Sequence, residues 1–377
     1  MMAREFIPAA KPIIGDEERA AVDRVLRSGM IAQGPEVAAF EQEFATALVG
    51  GRECVAVSSG TSGLHLGLLA AGIGPGDEVI VPSFTFAATA NSVALTGAAP
   101  VFADIDPDYF CLDPASVEAA ITPRTKAIMP VHLYGQAADM GGLGEIAQRH
   151  GLQIFEDAAQ AHGAQLDGQP VGTFGTFAMF SLYPTKNMTS GEGGMVSCAT
   201  AAQARGIRLL RNQGMEKQYA NEVVGFNDRM TDIHASIGRV QLGKLAGWTA
   251  RRQANAAFLN ANLAGVTVPA TRPGSTHVYH QYTIKVGADG ADLKTRAAER
   301  DRMVQALREE HQVGCGVYYP IPNHELVSLA KYAPGLELPQ TAAAAAAVIS
   351  LPVHPSLSQD DLDRIVGAVG AVARAGA

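Results

Sequence analysis

The feature that most constrains the fold is a repeated alternation, after residue 50, between short apolar runs and longer amphipathic segments. Short apolar runs are typical of strands buried on both faces, and amphipathic segments are typical of surface helices. Strands that alternate with helices form a mainly parallel sheet covered by helices on both faces, which places the chain in the α/β class. The predicted strands lie at residues 54–57, 78–81, 99–102, 127–131, 152–155, 177–180 and 194–198.

The segments on either side of this region have a different pattern. Residues 16–48 show helical spacing, with Gly34-Pro35 between two predicted helices. A long helical stretch follows at 231–263, and helices of that length often connect two domains. Beyond it the pattern predicts strands at 281–286 and 316–319 and helices at 294–310 and 359–373. We therefore predict a large domain at residues 1–247, including the N-terminal helical segment, and a smaller α+β domain at residues 248–377.

Composition excludes several classes of function. The 377 residues are 47% hydrophobic, which is sufficient for a sizeable core. A formal net charge of -8 without a run of Lys or Arg argues against a nucleic-acid partner. No apolar stretch is long enough to span a bilayer, and the N-terminus has no secretory signal pattern. The four cysteines are scattered, which is typical of reduced thiols. We expect a soluble cytoplasmic protein with no membrane partner.

Two polar residues follow predicted strands at positions that suggest catalysis. Lys186 lies in a glycine-rich turn after the strand at 177–180, where it is better placed to form a Schiff base than to pack. Asp157 follows the strand at 152–155, on the edge of the sheet where α/β proteins bind ligands. A lysine imine and an acid on the ring nitrogen are what pyridoxal 5'-phosphate (PLP) requires. Alternatively, Asp157 caps a helix and Lys186 is a solvated loop residue.

Further residues could hold such a cofactor. Ser58-Ser-Gly60-Thr61-Ser62-Gly63 follows a strand and opens a helix, whose free amide groups attract phosphate. An ordinary capped turn would have the same sequence. Phe84 could stack on a flat ring, whereas we interpret Phe86 as a core residue. Gln160 could donate to a phenolic oxygen, and Ser181 could reach the phosphate.

The combined motifs resemble the DegT/DnrJ/StrS family of sugar-nucleotide aminotransferases, PLP enzymes with the aspartate aminotransferase fold. The resemblance covers essentially the whole chain. Matching stretches include Gln33-Gly-Pro35-Glu36, Ser59-Gly-Thr61-Ser62-Gly-Leu64, Pro82-Ser-Phe84-Thr-Phe86, Glu156-Asp157-Ala-Ala-Gln160, Pro184-Thr-Lys186-Asn, Gly191-Glu-Gly-Gly194 and Gly225-Phe-Asn227-Asp-Arg229-Met230.

The resemblance implies a role for each matching residue. Lys186 would bind the cofactor covalently and move protons, and Asp157 would pair with the ring nitrogen. Asn227 would reach the phosphate bound by a neighbouring subunit, so the active sites would be shared across a homodimer. The other implied cofactor contacts are Gly60, Thr61, Ser62, Phe84, Gln160 and Ser181, and the implied sugar or diphosphate contacts are Arg229, Tyr318 and His324.

The implied activity is amino transfer from L-glutamate to a nucleotide-linked keto sugar, with a 4-keto-6-deoxyhexose preferred. A 3-keto sugar nucleotide and a keto-cyclitol are alternative acceptors, and a PLP-binding regulator is a non-enzymatic alternative. Family members that dehydrate sugars carry histidine in place of the lysine, so Lys186 argues against dehydration.

Two other polar patterns are interpreted as structural. His277 and His280 have a spacing found in metal sites but no third ligand nearby, so no metal is expected. Asp104 and Asp106 follow a strand and are interpreted as solvated acids of a turn.

Overall fold

The architecture is built around a seven-stranded sheet. The computed structural model describes residues 5–287 and 291–376. The strands are β1 (Glu53–Val57), β2 (Glu78–Pro82), β3 (Ala99–Ala103), β4 (Thr125–Ile128), β5 (Gln153–Asp157), β6 (Gln165–Leu166), β7 (Gln169–Pro170), β8 (Phe177–Ser181), β9 (Gly194–Cys198), β10 (Met215–Lys217), β11 (Ala220–Asn221), β12 (Ser275–Thr276), β13 (Tyr282–Lys285) and β14 (Val348–Leu351). The helices are α1 (Asp16–Ser28), α2 (Pro35–Leu48), α3 (Gly60–Ala70), α4 (Ala88–Leu95), α5 (Pro114–Ala120), α6 (Met140–His150), α7 (Ala201–Arg211), α8 (Asp232–Asn262), α9 (Leu293–Glu309), α10 (Pro339–Ala347) and α11 (Gln359–Gly376).

The strand order in the large sheet is β1-β9-β8-β5-β4-β2-β3. Neighbouring strands pair in parallel from β8 to β3, whereas β9 is antiparallel to both β1 and β8. The predicted mainly parallel α/β sheet is therefore confirmed. Because β9 runs the opposite way, its first residue, Gly194, lies beside the last residues of β1 and β8, Val57 and Ser181.

Alternate residues of the strands face two separate apolar layers. Ala56, Ile80 and Phe180 belong to one buried cluster, which includes side chains of α2 and α6. Val57 and Met179 belong to the other, which includes side chains of α3, α4 and α7. Helices thus cover both faces of the sheet, and the apolar runs in the sequence reflect this burial.

Several helices begin where a side chain caps their first turn. Ser59, Asp113, Thr200 and Thr231 each accept a hydrogen bond from the amide group three residues later. Such caps satisfy amide groups that have no acceptor within the helix. The first turn of α3 is thereby held directly after β1.

A third apolar cluster lies outside the sheet. It joins β13 and β14 to α9, α11 and the second half of α8, with Tyr282, Leu307 and Ile365 fully buried. The domain boundary predicted near Trp248 falls inside α8 and stays a prediction. None of the helices in the described ranges is long and apolar enough to cross a membrane.

Two sequence-based interpretations differ from the structure. Residues 316–319 do not form the predicted strand; Gly316 makes a single bridge with Ser350, and the Tyr318 carbonyl accepts a hydrogen bond from the Tyr134 hydroxyl. Asp104 is buried rather than solvated, because its carboxylate accepts hydrogen bonds from the first turn of α10.

Candidate active site

A cavity of about 650 Å³ opens at the edge of the sheet where β1, β2, β5 and β8 end and β9 begins. Polar residues that directly follow parallel strands meet at this edge, as they do in other α/β proteins. Seven of the predicted site residues line the cavity: Gly60, Thr61, Asp157, Gln160, Ser181, Lys186 and Tyr318. Five do not: Ser62, Phe84, Asn227, Arg229 and His324.

Lys186 lines this cavity from the loop after β8. Its backbone amide donates to the Tyr183 carbonyl at 3.0 Å, which holds the turn. Within the described part of the chain, the Nζ atom has no hydrogen-bond or ion-pair partner. Burial lowers the pKa of Lys186 to about 8, although the attraction of Asp157 opposes that shift. The amine is therefore accessible from the cavity and readily deprotonated, as a nucleophile must be.

Asp157 is the last residue of β5, and its carboxylate is held from two sides. One oxygen, Oδ2, accepts a hydrogen bond from the Thr89 hydroxyl at 2.7 Å, and Oδ1 accepts one from the Ala159 amide at 3.1 Å. Burial raises the pKa of Asp157, whereas these two donors and the charge of Lys186 lower it. A buried carboxylate with unused lone pairs is suited to a cationic N–H group.

The first turn of α3 supplies a candidate phosphate site. Gly60 and Thr61 line the cavity, and Ser181 lies beside them at the end of β8. Ser62 departs from its predicted role, because its hydroxyl donates to the Asp228 carboxylate at 3.1 Å and accepts from Ser58. The positive end of the helix dipole lies at the cavity, because Gly60 and Thr61 of this turn line it.

The structure assigns the two phenylalanines after β2 differently from the sequence-based interpretation. Phe84 is fully buried, and its ring packs edge-on against Tyr134 and Tyr319. Phe86 is 64% exposed and lines the cavity. The predicted stacking role of Phe84 therefore needs correction, because the bend after β2 places the Phe84 ring in the core and the Phe86 ring at the cavity.

Gln160 joins the cavity to the aromatic residues around it. Its Oε1 atom accepts from the Tyr134 amide at 2.7 Å, and its Nε2 atom donates to the Tyr319 hydroxyl at 2.9 Å. The second N–H of that amide group is available to a ligand. Tyr319 lies between Gln160, Phe84 and Phe86, so this network fixes the wall of the cavity.

Three residues predicted to bind substrate or cofactor do not line the cavity of their own chain. The Arg229 guanidinium donates to the Asn212 side chain at 2.8 Å. The His324 ring is buried, and its Nδ1 atom lies 2.6 Å from the Ser83 hydroxyl. Asn227 is exposed at the surface.

Sequence reasoning missed several residues that shape the cavity. His280 and Glu192 line it, and Thr89 holds Asp157 from outside it. Glu192 lies in the recognised Gly-Glu-Gly-Gly turn, so that motif could have identified it. His280 was considered only with His277 as a metal pair; the described residues contain no cluster of three or more metal-ligand side chains. Thr89 has no local signal, because its partner lies 68 residues away.

These residues fit PLP. The cofactor carries an aldehyde for an amine, a ring nitrogen for an acid, a phosphate and a flat ring. The cavity has an unpartnered amine, a buried carboxylate, a helix N-terminus and the exposed ring of Phe86, one for each group. The fit thus rests on the donors and acceptors that the chain itself presents.

Comparison with known proteins gives a family match over most of the chain. The model of the DegT/DnrJ/EryC1/StrS aminotransferase family matches residues 12–370. A UDP-N-acetyl-3-dehydro-alpha-D-glucosamine 3-aminotransferase of Acidithiobacillus ferrooxidans is 42% identical over 93% of this chain and 92% of its own length. A dTDP-3-amino-3,4,6-trideoxy-alpha-D-glucose transaminase of Streptomyces venezuelae is 41% identical over 96% and 94%. The crystal structure of NtdA from Bacillus subtilis with bound cofactor PMP, the amino form of PLP, is similar at a TM-score of 0.88 and 31% identity, covering 99% of this chain and 87% of that one.

Proposed function

The chain belongs to the DegT/DnrJ/EryC1/StrS aminotransferase family, and we propose that this PLP-dependent transaminase moves an amino group from L-glutamate to carbon 3 of a nucleotide-linked keto sugar. The observation that carries the chemistry is the cavity in which the unpartnered amine of Lys186 faces the buried carboxylate of Asp157. This proposal departs from the sequence-based expectation, because the sequence motifs taken alone favour a 4-keto-6-deoxyhexose. The names of two relatives that are 41% and 42% identical both specify an amino group at carbon 3, and they support the 3-keto alternative.

The residues of the chain divide the work as follows. When bound, PLP supplies an electron-poor ring that stabilises negative charge on the carbon beside its imine nitrogen. Asp157 would hold the ring nitrogen protonated, and Gly60, Thr61 and Ser181 would bind the phosphate. The Nζ atom of Lys186 would take the α-proton of glutamate and later deliver a proton to the sugar carbon that gains the amine. Phe86 would cover one face of the ring.

We further propose that two copies of the chain share each active site. Of the described residues that line the cavity, Lys186 is the sole lysine or arginine, yet the cofactor phosphate, glutamate and a sugar diphosphate are all anions. Asn227 is exposed, and so are Tyr219 and Val224 nearby, at 86% and 92%. A second copy that covers these side chains and lends polar groups to the cavity would complete the site. The four free cysteines agree with the expected cytoplasmic location.

The test is a two-step absorbance experiment on the purified protein with PLP. Excess L-glutamate should convert the visible spectrum of the lysine-bound cofactor to that of PMP. After removal of glutamate, a 3-keto sugar nucleotide should restore the first spectrum, whereas a 4-keto sugar nucleotide or a keto-cyclitol should not. Restoration by one of those compounds instead would replace the proposed acceptor.

Lys186→Ala is the negative control in the same experiment. It removes the amine but leaves Asp157 and the phosphate turn, so the variant should stay folded and lose turnover. Near-normal turnover by this variant would refute the assignment of Lys186. Failure of the wild-type protein to react with glutamate would favour the non-enzymatic alternative, a PLP-binding regulator.

A further inference from the structure

The hydroxyl group of Thr89, which does not line the cavity, contacts the carboxylate of Asp157, which does. The Thr89 Oγ1 atom donates to Oδ2 of Asp157 at 2.7 Å, and both side chains are buried, at 0% and 4% exposure. Thr89 lies in the first turn of α4, whereas Asp157 ends β5. Threonine in a helix commonly bonds a carbonyl of the preceding turn. Here the Thr89 hydroxyl instead forms a hydrogen bond that joins α4 to the end of β5.

The direction of the hydrogen bonds follows from the number of protons. A hydroxyl has one proton, and an ionised carboxylate can only accept, so Thr89 must donate its proton to Asp157. The Thr85 Oγ1 atom lies 3.4 Å from the Thr89 Oγ1 atom, and at that weaker contact Thr85 must therefore be the donor. The order Thr85, Thr89, Asp157 aligns two hydroxyl dipoles toward the carboxylate.

These contacts leave the cavity side of the carboxylate free. Thr89 occupies one lone pair of Oδ2, and the Ala159 amide occupies one of Oδ1. Each oxygen keeps a second lone pair, and the plane of the carboxylate is set by donors on two different elements. Burial raises the pKa of Asp157 and the Thr89 hydrogen bond lowers it, so loss of the hydroxyl would shift Asp157 toward its protonated form, which cannot accept a hydrogen bond at the protonated oxygen in the same way.

We propose that Thr89 is a positioning residue that keeps Asp157 ionised and oriented toward the ring nitrogen of the cofactor. This inference rests on the proposed function, because Asp157 has that partner only when PLP is bound. Valine would fill the same space as Thr89, so packing alone does not require a hydroxyl here.

The test compares two ligands with the cofactor-free protein by equilibrium dialysis. One is PLP, and the other is an analogue in which a CH group replaces the ring nitrogen. Thr89→Val should weaken the binding of PLP by about tenfold, since a hydrogen bond to a charged group contributes at about that level. It should leave the binding of the analogue unchanged, because the analogue makes no bond to Asp157. Thr89→Ser, which keeps the hydroxyl, should restore the affinity for PLP.

Equal weakening of both ligands would overturn the proposal and assign Thr89 to packing. So would a wild-type protein that binds PLP and the analogue equally well, since Asp157 would then not act on the ring nitrogen. Failure of the wild-type protein to bind PLP at all would instead refute the proposed function.

Ser92→Ala is the matched control: Ser92 is buried on the same helix, but its hydroxyl donates to the Thr89 carbonyl. If Thr89→Val does not fold, Thr89→Ala removes the same hydroxyl with less bulk.

Discussion

At the scale of single residues, the site works by placing charge where water is scarce. Burial lowers the pKa of Lys186, and it also lowers the pKa values of the neighbouring imidazoles His162 and His280. The positive charge of Lys186 contributes to the shifts of both histidines. The lysine therefore has neutral imidazoles near it. The Asp157 carboxylate stabilises the charged form of Lys186, but burial outweighs that attraction. An amine in this setting is poised to lose its proton near neutral pH.

The first prediction concerns the pH at which cofactor-free protein combines with PLP. Only the neutral amine attacks an aldehyde, so the rate should rise with pH and level off above about 8, where Lys186 is deprotonated. At pH 7 about a tenth of Lys186 is then neutral, far more than for a lysine with the ordinary pKa of about 10.4. The measurement is stopped-flow absorbance over a pH series.

Asp157→Asn provides the control on the sign of this effect. The Asp157 carboxylate raises the pKa of Lys186, so its removal should move the midpoint of the curve to lower pH. A midpoint near the ordinary lysine value of about 10.4 in the wild-type protein would contradict the prediction.

The second prediction separates the two phenylalanines after β2. Phe84→Ala should lower the free energy of unfolding by about 3–5 kcal/mol, because it empties a fully buried position. Phe86→Ala should leave stability nearly unchanged and weaken PLP binding, because its ring is exposed in the cavity. Urea unfolding of the cofactor-free variants and equilibrium dialysis with PLP measure the two effects. The reverse pattern would restore the sequence-based assignment of Phe84.

At the scale of elements, one carboxylate joins the sheet to a helix of the C-terminal region. The residue at the N-cap position of α10 is Leu338, which has no side-chain cap. Asp104, just after β3, takes that role: its oxygens accept from the amides of Gln340 at 2.9 Å and Thr341 at 2.8 Å. A negative charge at a helix N-terminus also interacts favourably with the helix dipole. The start of α10 thus depends on a residue that lies 236 positions earlier in the chain.

The third prediction follows from this contact. Asp104→Ala should lower the free energy of unfolding by about 2 kcal/mol, because it removes a cap and leaves buried amide groups without an acceptor. Asp108→Ala is the matched control in the same loop. The Asp108 side chain is 65% exposed and pairs with Lys285, so its loss should cost about 0.5 kcal/mol or less. Urea unfolding measures both, and equal effects would contradict the capping role.

At the scale of the whole molecule, Lys186 is the sole lysine or arginine among the described residues that line the cavity of one chain, whereas the proposed ligands carry several negative charges. In the proposed dimer, the second copy would add polar groups to the cavity, Asn227 among them. Each site would then combine Lys186 of one chain with Asn227 of the other. In such an arrangement, a single chain would have no complete active site, and activity would require the dimer.

The fourth prediction tests this arrangement by mixing two inactive variants. Lys186→Ala and Asn227→Ala should each have low activity alone. In a mixed dimer, one site has both residues intact, so random exchange should restore about a quarter of the wild-type activity. The assay is turnover after the variants are co-expressed or unfolded and refolded together. No recovery from a mixture that forms dimers would show that each chain uses its own Asn227.

Much of the fold was predictable because its signals are local. Apolar runs identified the strands of the large sheet, since strands buried on both faces exclude polar residues. Lys186 and Asp157 could be predicted as site residues because Asp157 ends one such run and Lys186 lies in the turn after another, and all parallel strands end at one edge. Helix starts such as that of α3 were visible because the capping residue, Ser59, lies within one turn of the amide that it binds.

The features that could not be predicted from the sequence depend on contacts between distant residues. Whether Phe84 or Phe86 faces the cavity depends on how the chain turns after β2. The sequence does not distinguish them, because both are phenylalanines that each follow a hydroxyl residue. Asp104 resembles a solvated acid until α10 is brought to it, and Thr89 is an ordinary helix residue until β5 places Asp157 at 2.7 Å. The strands of the large sheet, the PLP chemistry and the family could be predicted from the sequence, because their signals are local. Folding decided which side chains share the cavity, because that depends on packing between elements far apart in the chain.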